Sequence, residues 1–86
     1  MKYRVLVAED EALIRLDLVE MLSEAGYQVV GQAADGEQAL ALAFELKPDL
    51  VILDVKMPVM DGITAAEQIV AARLAPVLML TAFSQT

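Results

Sequence analysis

Residues 50–62 read Leu-Val-Ile-Leu-Asp-Val-Lys-Met-Pro-Val-Met-Asp-Gly. Four consecutive apolar residues, Leu50 to Leu53, run straight into Asp54, and a loop bearing Pro58 and Gly62 follows. A short unbroken apolar run bounded by turn residues is the pattern of a strand buried on both faces. Asp54 therefore closes such a strand, at the carboxyl edge of a sheet, where open α/β folds bind their ligands. Taken by itself, an Asp in this position reads equally well as a helix cap or a turn former.

The same pattern recurs on either side. Arg4 to Ala8 carries Val5, Leu6 and Val7 as a second apolar strand, and it ends in three carboxylates, Glu9-Asp10-Glu11. A helical pattern follows, with Ile14, Leu18, Met21, Leu22 and Ala25 on one face. Gly26 is placed to end that helix in a left-handed conformation. Tyr27 to Gly31 is a short strand whose polar residues suit an edge position. Asp35 and Gln38 form a capping box for a second helix, with Leu40, Ala43 and Phe44 inward. Lys47-Pro48-Asp49 breaks that helix before the central strand. Beyond the loop, Asp61 or Thr64 caps a third helix over 63–73, with Ala66, Ile69, Val70 and Arg73 in register. Pro76 ends it, and Val77 to Leu80 make a fourth apolar strand that finishes at Thr81. Strands alternating with helices over short connections predict an α/β fold with a parallel sheet, right-handed crossovers and helices on both faces.

Composition narrows the chemistry. The chain of 86 residues suits a single domain. It contains no Cys and no His, which removes disulfides, thiolate metal sites and the commonest general base. Carboxylates, hydroxyls and six Lys plus Arg remain, an inventory suited to hard cations such as Mg²⁺. The net charge of −7, with no basic run, argues against nucleic-acid binding by this segment. Neither a membrane span nor a signal-peptide pattern is visible, so a cytoplasmic protein is expected.

Parallel strands bring Glu9, Asp10, Asp54 and Thr81 to one edge of the sheet. Carboxylates gathered there repel: two unit charges ~4 Å apart cost roughly 4 kcal/mol at an effective dielectric near 20. A divalent cation, or a proton retained on one carboxyl, relieves that cost. With a cation, Asp10 and Asp54 bind directly and Glu9 through water, and Asp54 can attack a phosphoryl donor in line. Thr81 then offers its hydroxyl to a phosphoryl oxygen. Separately, the acidic run reads as charge favouring a helix N-terminus, and Thr81 as a β-branched strand residue. Their conjunction at three strand ends favours the site.

Val5 to Glu11, Leu53 to Pro58, Met60-Asp61-Gly62 and Leu80-Thr81-Ala82 together resemble the receiver domain of bacterial two-component response regulators, over the whole chain. The resemblance implies a flavodoxin-like doubly wound sheet. It implies that Asp54 is the phosphoacceptor and Thr81 the switch hydroxyl. Glu9, Asp10, Asp54 and the backbone carbonyl of Lys56 are the implied Mg²⁺ site, and a sensor histidine kinase is the implied partner. The runs Ala8 to Arg15 and Leu80 to Gln85 look closer to ANTAR-type regulators, whose output is RNA-binding transcription antitermination.

The pattern departs from the family at its end. Residues 1–86 lack the family's last helix, strand and helix, and with them a Lys that pairs with the phosphoryl group. The fourth strand, apolar on both faces, is then an open edge, and self-association or element swapping through it is expected. Two other readings stand beside phosphotransfer. One is a non-phosphorylated receiver-like interaction or dimerisation module. The other is an Asp-nucleophile phosphohydrolase, disfavoured because Lys56 stands where that class places its second Asp. The chain is not expected to be an enzyme beyond assisting phosphorylation and dephosphorylation of Asp54.

Overall fold

The computed structural model of the chain describes residues 2–80. Strand β1 (Arg4–Ala8) leads to helix α1 (Ala12–Glu24) and strand β2 (Gln28–Ala33). Helix α2 (Gly36–Leu46), strand β3 (Leu50–Asp54), helix α3 (Gly62–Ala71) and strand β4 (Val77–Leu80) follow. The four strands form one sheet in the order β2-β1-β3-β4, and every pairing is parallel. The chain steps from β1 to β2 on one side, then returns past β1 to β3 on the other. This reversal opens a crevice between the carboxyl ends of β1 and β3. The register pairs Ala8 with Leu53, so Glu9 and Asp54 are the next residues on neighbouring strands.

Side chains alternate between the two faces, and the faces are unequally covered. Leu6, Ala8, Val51 and Leu53 point to one side and pack with Ala39 and Ala43 of α2 and Ala65 and Ile69 of α3. Val5, Val7 and Ile52 point to the other, where Leu18 and Leu22 of α1 lie over them. Burying a Leu or Ile side chain such as Leu6, Leu53 or Ile69 completely stabilises by roughly 1.5–3 kcal/mol.

The punctuation predicted from sequence is present. Gly26 has φ +96°, and the Gly26 and Tyr27 N–H groups donate to the Ser23 and Leu22 carbonyls, a Schellman ending for α1. Asp35 accepts from the Gln38 N–H at 2.8 Å, and Gln38 accepts in turn from the Ala34 N–H at 3.0 Å. Asp61, not Thr64, caps α3, accepting the Thr64 N–H at 2.7 Å.

Boundaries and helix faces need correction. Strand β2 covers Gln28–Ala33 because the register with β1 shifts between Val5 and Leu6, a bulge that carries pairing through Gly31. In α1, Ile14 and Met21 are exposed, and only Leu18 and Leu22 of the expected stripe pack against the sheet. In α2 the buried residues are Gly36, Ala39 and Ala43, while Phe44 is exposed. In α3 they are Gly62, Ala65 and Ile69, while Val70 is exposed. Each helix buries small residues, Gly36, Ala39 and Ala43 in α2 and Gly62 and Ala65 in α3, which lets it approach closely.

Candidate functional site

Each side chain of the predicted acidic group is set by a strand end. Asp54 is the last residue of β3 and is 8% exposed; Glu9 directly follows β1 and is 5% exposed. Asp10, one residue on, is exposed at the rim. One carboxylate oxygen from each of the three lies within 4.8 Å of the others. The structure thus brings together Glu9, Asp10 and Asp54 as the sequence predicts. Lys56 is exposed in the loop after β3. Thr81 lies outside the described residues; Leu80, which precedes it, pairs with Asp54 and accepts the Val55 N–H at 3.2 Å.

Glu9 is held on every side. Its N–H donates to the Ala33 carbonyl at 3.0 Å, fastening it to the end of β2. Its Oε2 accepts from the Glu11 N–H at 3.0 Å, and its backbone carbonyl accepts from Arg15 Nη1 at 2.6 Å. Burial pushes the Glu9 carboxyl above its ordinary value of 4.5. The Glu11 N–H pulls the other way, while a side-chain hydrogen bond with Asp10 and the charges of Asp54 and Asp10 add to the rise. The site is a set of oxygens that repel one another and have few donors to quiet them.

The loop from Val55 to Asp61 forms the opposite wall. A surface depression of about 530 Å³ lies between Asp10 and this loop, lined also by Val55, Lys56, Met57, Pro58, Asp61 and Ile63. Met57 points inward and joins the larger core cluster. Two glycines fasten the loop. The Gly62 N–H donates to the Val55 carbonyl at 2.9 Å, and a Cβ there would collide with the Asp54 carbonyl oxygen. The Gly36 N–H donates to the Met60 carbonyl at 2.9 Å, and a Cβ there would collide with that carbonyl. Between them Val59 has φ +68°, and the Met60 N–H donates to the Pro58 carbonyl at 2.7 Å, a tight γ-turn.

Reading the sequence for chemistry missed Arg15, Gly36, Gly62 and the Val59 turn. The glycines carried a usable signal, since each directly follows a helix-capping Asp, in Asp35-Gly36 and Asp61-Gly62. Arg15 carried none, because its partners are a backbone carbonyl and a residue of β2.

Known proteins share this arrangement. The chain is 65% identical over 82 residues to the transcriptional regulatory protein PdtaR of Mycobacterium tuberculosis, covering 95% of this chain and 40% of that protein. It is 43% identical over 82 residues to a protein-glutamate methylesterase/protein-glutamine glutaminase of Archaeoglobus fulgidus, covering 95% of this chain and 24% of that one. The chain thus spans well under half the length of these relatives. Among solved structures, the response regulator domain of Thermotoga maritima CheB superposes with a TM-score of 0.90 at 36% identity, covering 99% of this chain and 64% of that chain. CheY in a CheX–CheY–BeF₃–Mg²⁺ complex from Borrelia burgdorferi superposes with a TM-score of 0.86 at 30% identity, covering 96% and 64%. Receiver domains bind Mg²⁺ at an acidic pocket and are phosphorylated by histidine kinases. The family model described as the response regulator receiver domain matches residues 5–86, and the chain belongs to that family, with its phosphoacceptor role in two-component signalling.

Proposed function

We propose that Asp54 is the phosphoacceptor of this chain, and that Glu9, Asp10, Asp54 and the backbone carbonyl of Lys56 bind Mg²⁺. One observation carries the reading: carboxylate oxygens from the ends of two adjacent strands converge within 4.8 Å, with Asp54 nearly buried among them. The donor set fits the cation. Oxygen atoms alone, some fixed and one on an exposed rim, suit a hard divalent ion that keeps several waters. When bound, Mg²⁺ neutralises charge on the oxygens of the transferring phosphoryl group.

The residues then divide the work. A carboxylate oxygen of Asp54 attacks the phosphorus of a histidine kinase's phosphohistidine, forming the O–P bond of an acyl phosphate. The P–N bond breaks in line, and its electron pair stays on the departing imidazole. Glu9 and Asp10 keep the pocket anionic, and the depression beside Asp10 leaves room for the donor to approach. Thr81 would donate its hydroxyl to a phosphoryl oxygen once transfer is complete and so bias the surface after β4. No turnover of another substrate is proposed. The relative described as a transcriptional regulatory protein supports an output in transcription; an RNA-binding antitermination output rests on the resemblance of residues 8–15 and 80–85 to ANTAR-type regulators alone. A cytoplasmic location is consistent with a kinase partner of this sort; among the described residues no helix is long and apolar enough to cross a membrane.

The test is the intact mass of the chain after incubation with Mg²⁺ and a small-molecule phosphodonor, beside Asp54→Asn. One added phosphoryl group is expected, absent in the variant and absent without Mg²⁺. A folded chain that gains no mass would overturn the reading and leave a receiver-shaped interaction module. Self-association is a second property of the same chain. It is favoured by Leu78, half exposed on β4, the strand at one edge of the described sheet. Light scattering at rising concentration should show a growing mean mass, and a constant monomer mass would exclude it.

A further inference from the structure

Arg15 stands one turn into α1, partly buried, and reaches back across the loop that carries the acidic residues. Its Nη1 donates to the Glu9 carbonyl at 2.6 Å and its Nε to Gln32 Oε1, on β2, at 3.3 Å. A charged donor at that distance makes a strong bond to a neutral carbonyl. Glu9 already has its N–H fixed to Ala33, so Arg15 closes the second half of a bracket between α1, the loop and β2. Without it, the peptide linking Glu9 to Asp10 would lose the one hydrogen bond that its carbonyl accepts among the described residues and could rotate, turning both carboxylates.

We infer that Arg15 is a positioning residue for the cation pocket: its grip on the Glu9 carbonyl fixes the directions in which Glu9 and Asp10 present their carboxylates. The inference rests on the Mg²⁺ site proposed above. It predicts a sign opposite to the one electrostatics alone would give. A guanidinium beside the pocket repels a second cation, so removing it should strengthen cation binding if charge were its whole contribution. If positioning dominates, removing it weakens binding, in the way that loss of an outer-sphere partner costs a metal site about tenfold or more in affinity.

The experiment is a titration of the chain with Mn²⁺ as the probe, followed by the free-ion electron paramagnetic resonance signal, for wild type, Arg15→Ala, Arg15→Gln and Asp10→Asn. Thermal unfolding without cation is measured for each. Arg15→Ala should bind Mn²⁺ about tenfold more weakly with its unfolding midpoint nearly unchanged, a combination that general loosening of the fold would not produce. Should Arg15→Ala fail to fold, Arg15→Gln decides, because it removes the same charge and the same reach. Tighter or unchanged binding in the folded Arg15 variant overturns the inference. Asp10→Asn separates this outcome from failure of the site itself. If Asp10→Asn binds as wild type, or wild type binds no Mn²⁺, the cation site falls and the role of Arg15 with it.

Discussion

At Gly62 a single hydrogen atom separates a working pocket from a collision. The first residue of α3 packs flat against the backbone of Asp54, and a methyl group there would strike the Asp54 carbonyl oxygen. Backbone cannot rotate aside as a long side chain can, so either β3 or α3 must shift. Overpacking of this kind costs roughly 3 kcal/mol. Gly62→Ala should lower the urea midpoint accordingly and displace Asp54 from Glu9. Retention of wild-type stability would show that α3 can slide freely. Glu9 supports a second prediction. Its carboxyl is pushed above 4.5 by burial first, against the opposing Glu11 N–H, with the side-chain hydrogen bond to Asp10 and the charges of Asp54 and Asp10 adding to the rise. Between 4.5 and that raised value the folded chain keeps a proton that the unfolded chain has released. Stability therefore falls as pH rises through the window. Glu9→Gln, which cannot ionise, should escape this loss. In chelating buffer its melting temperature relative to wild type should climb from pH 4.5 upward and level off at neutral pH. A difference that stays constant with pH would remove the strain assigned to Glu9.

Among elements, the β3–α3 loop carries the most conformational tension. Val59 is β-branched, 76% exposed and held at φ +68°, where such residues are outliers. Its side chain is little buried there, so little packing is set against the strain of about 1–3 kcal/mol. Val59→Gly should stabilise the chain by about 1 kcal/mol once the extra entropy of glycine in the unfolded state is subtracted. Urea unfolding checks this, and a destabilised variant would mean that the turn adapts to Val59 without strain. This loop also shows where the sequence was and was not legible. The strand ending in Asp54, the acidic run after β1 and the Asp caps of α2 and α3 all depend on neighbours in the chain, and all were readable. Helix rotation was not. Apolar residues make up 58% of the sequence, so α2 and α3 offer hydrophobic stripes at several phases. The buried ones follow the glycines, at Gly36, Ala39, Ala43 and at Gly62, Ala65, Ile69, because close backbone approach fixes the rotation first. Gly31 misled for a related reason. It reads as the end of β2, yet the bulge keeps it paired with Leu6 inside the strand.

Across the whole described molecule, stability is divided unevenly between the two faces of the sheet. The α2–α3 side gathers ten buried residues, whereas the α1 side buries only Val5, Val7 and Ile52. No residue of α1 is fully buried, although Leu13, Leu16 and Met21 are all large and apolar. This helix is held chiefly by Leu18 and Leu22, so opening it exposes little new apolar surface. Local opening free energies scale with such contacts and range from near zero up to the global value. Backbone amides of α1 should therefore exchange with deuterium well before those of β1, β3 and α3. The pocket makes the comparison more telling. Glu9 and Asp10 sit between β1, buried from Val5 to Ala8, and α1, which buries no residue, so Mg²⁺ bound by their carboxylates should slow exchange in the first turn of α1 more than anywhere in α3. Protection of α1 equal to that of β1 without cation would mean that its exposed apolar face is covered in solution. Protection that Mg²⁺ leaves unchanged would mean that the pocket and the helix open independently.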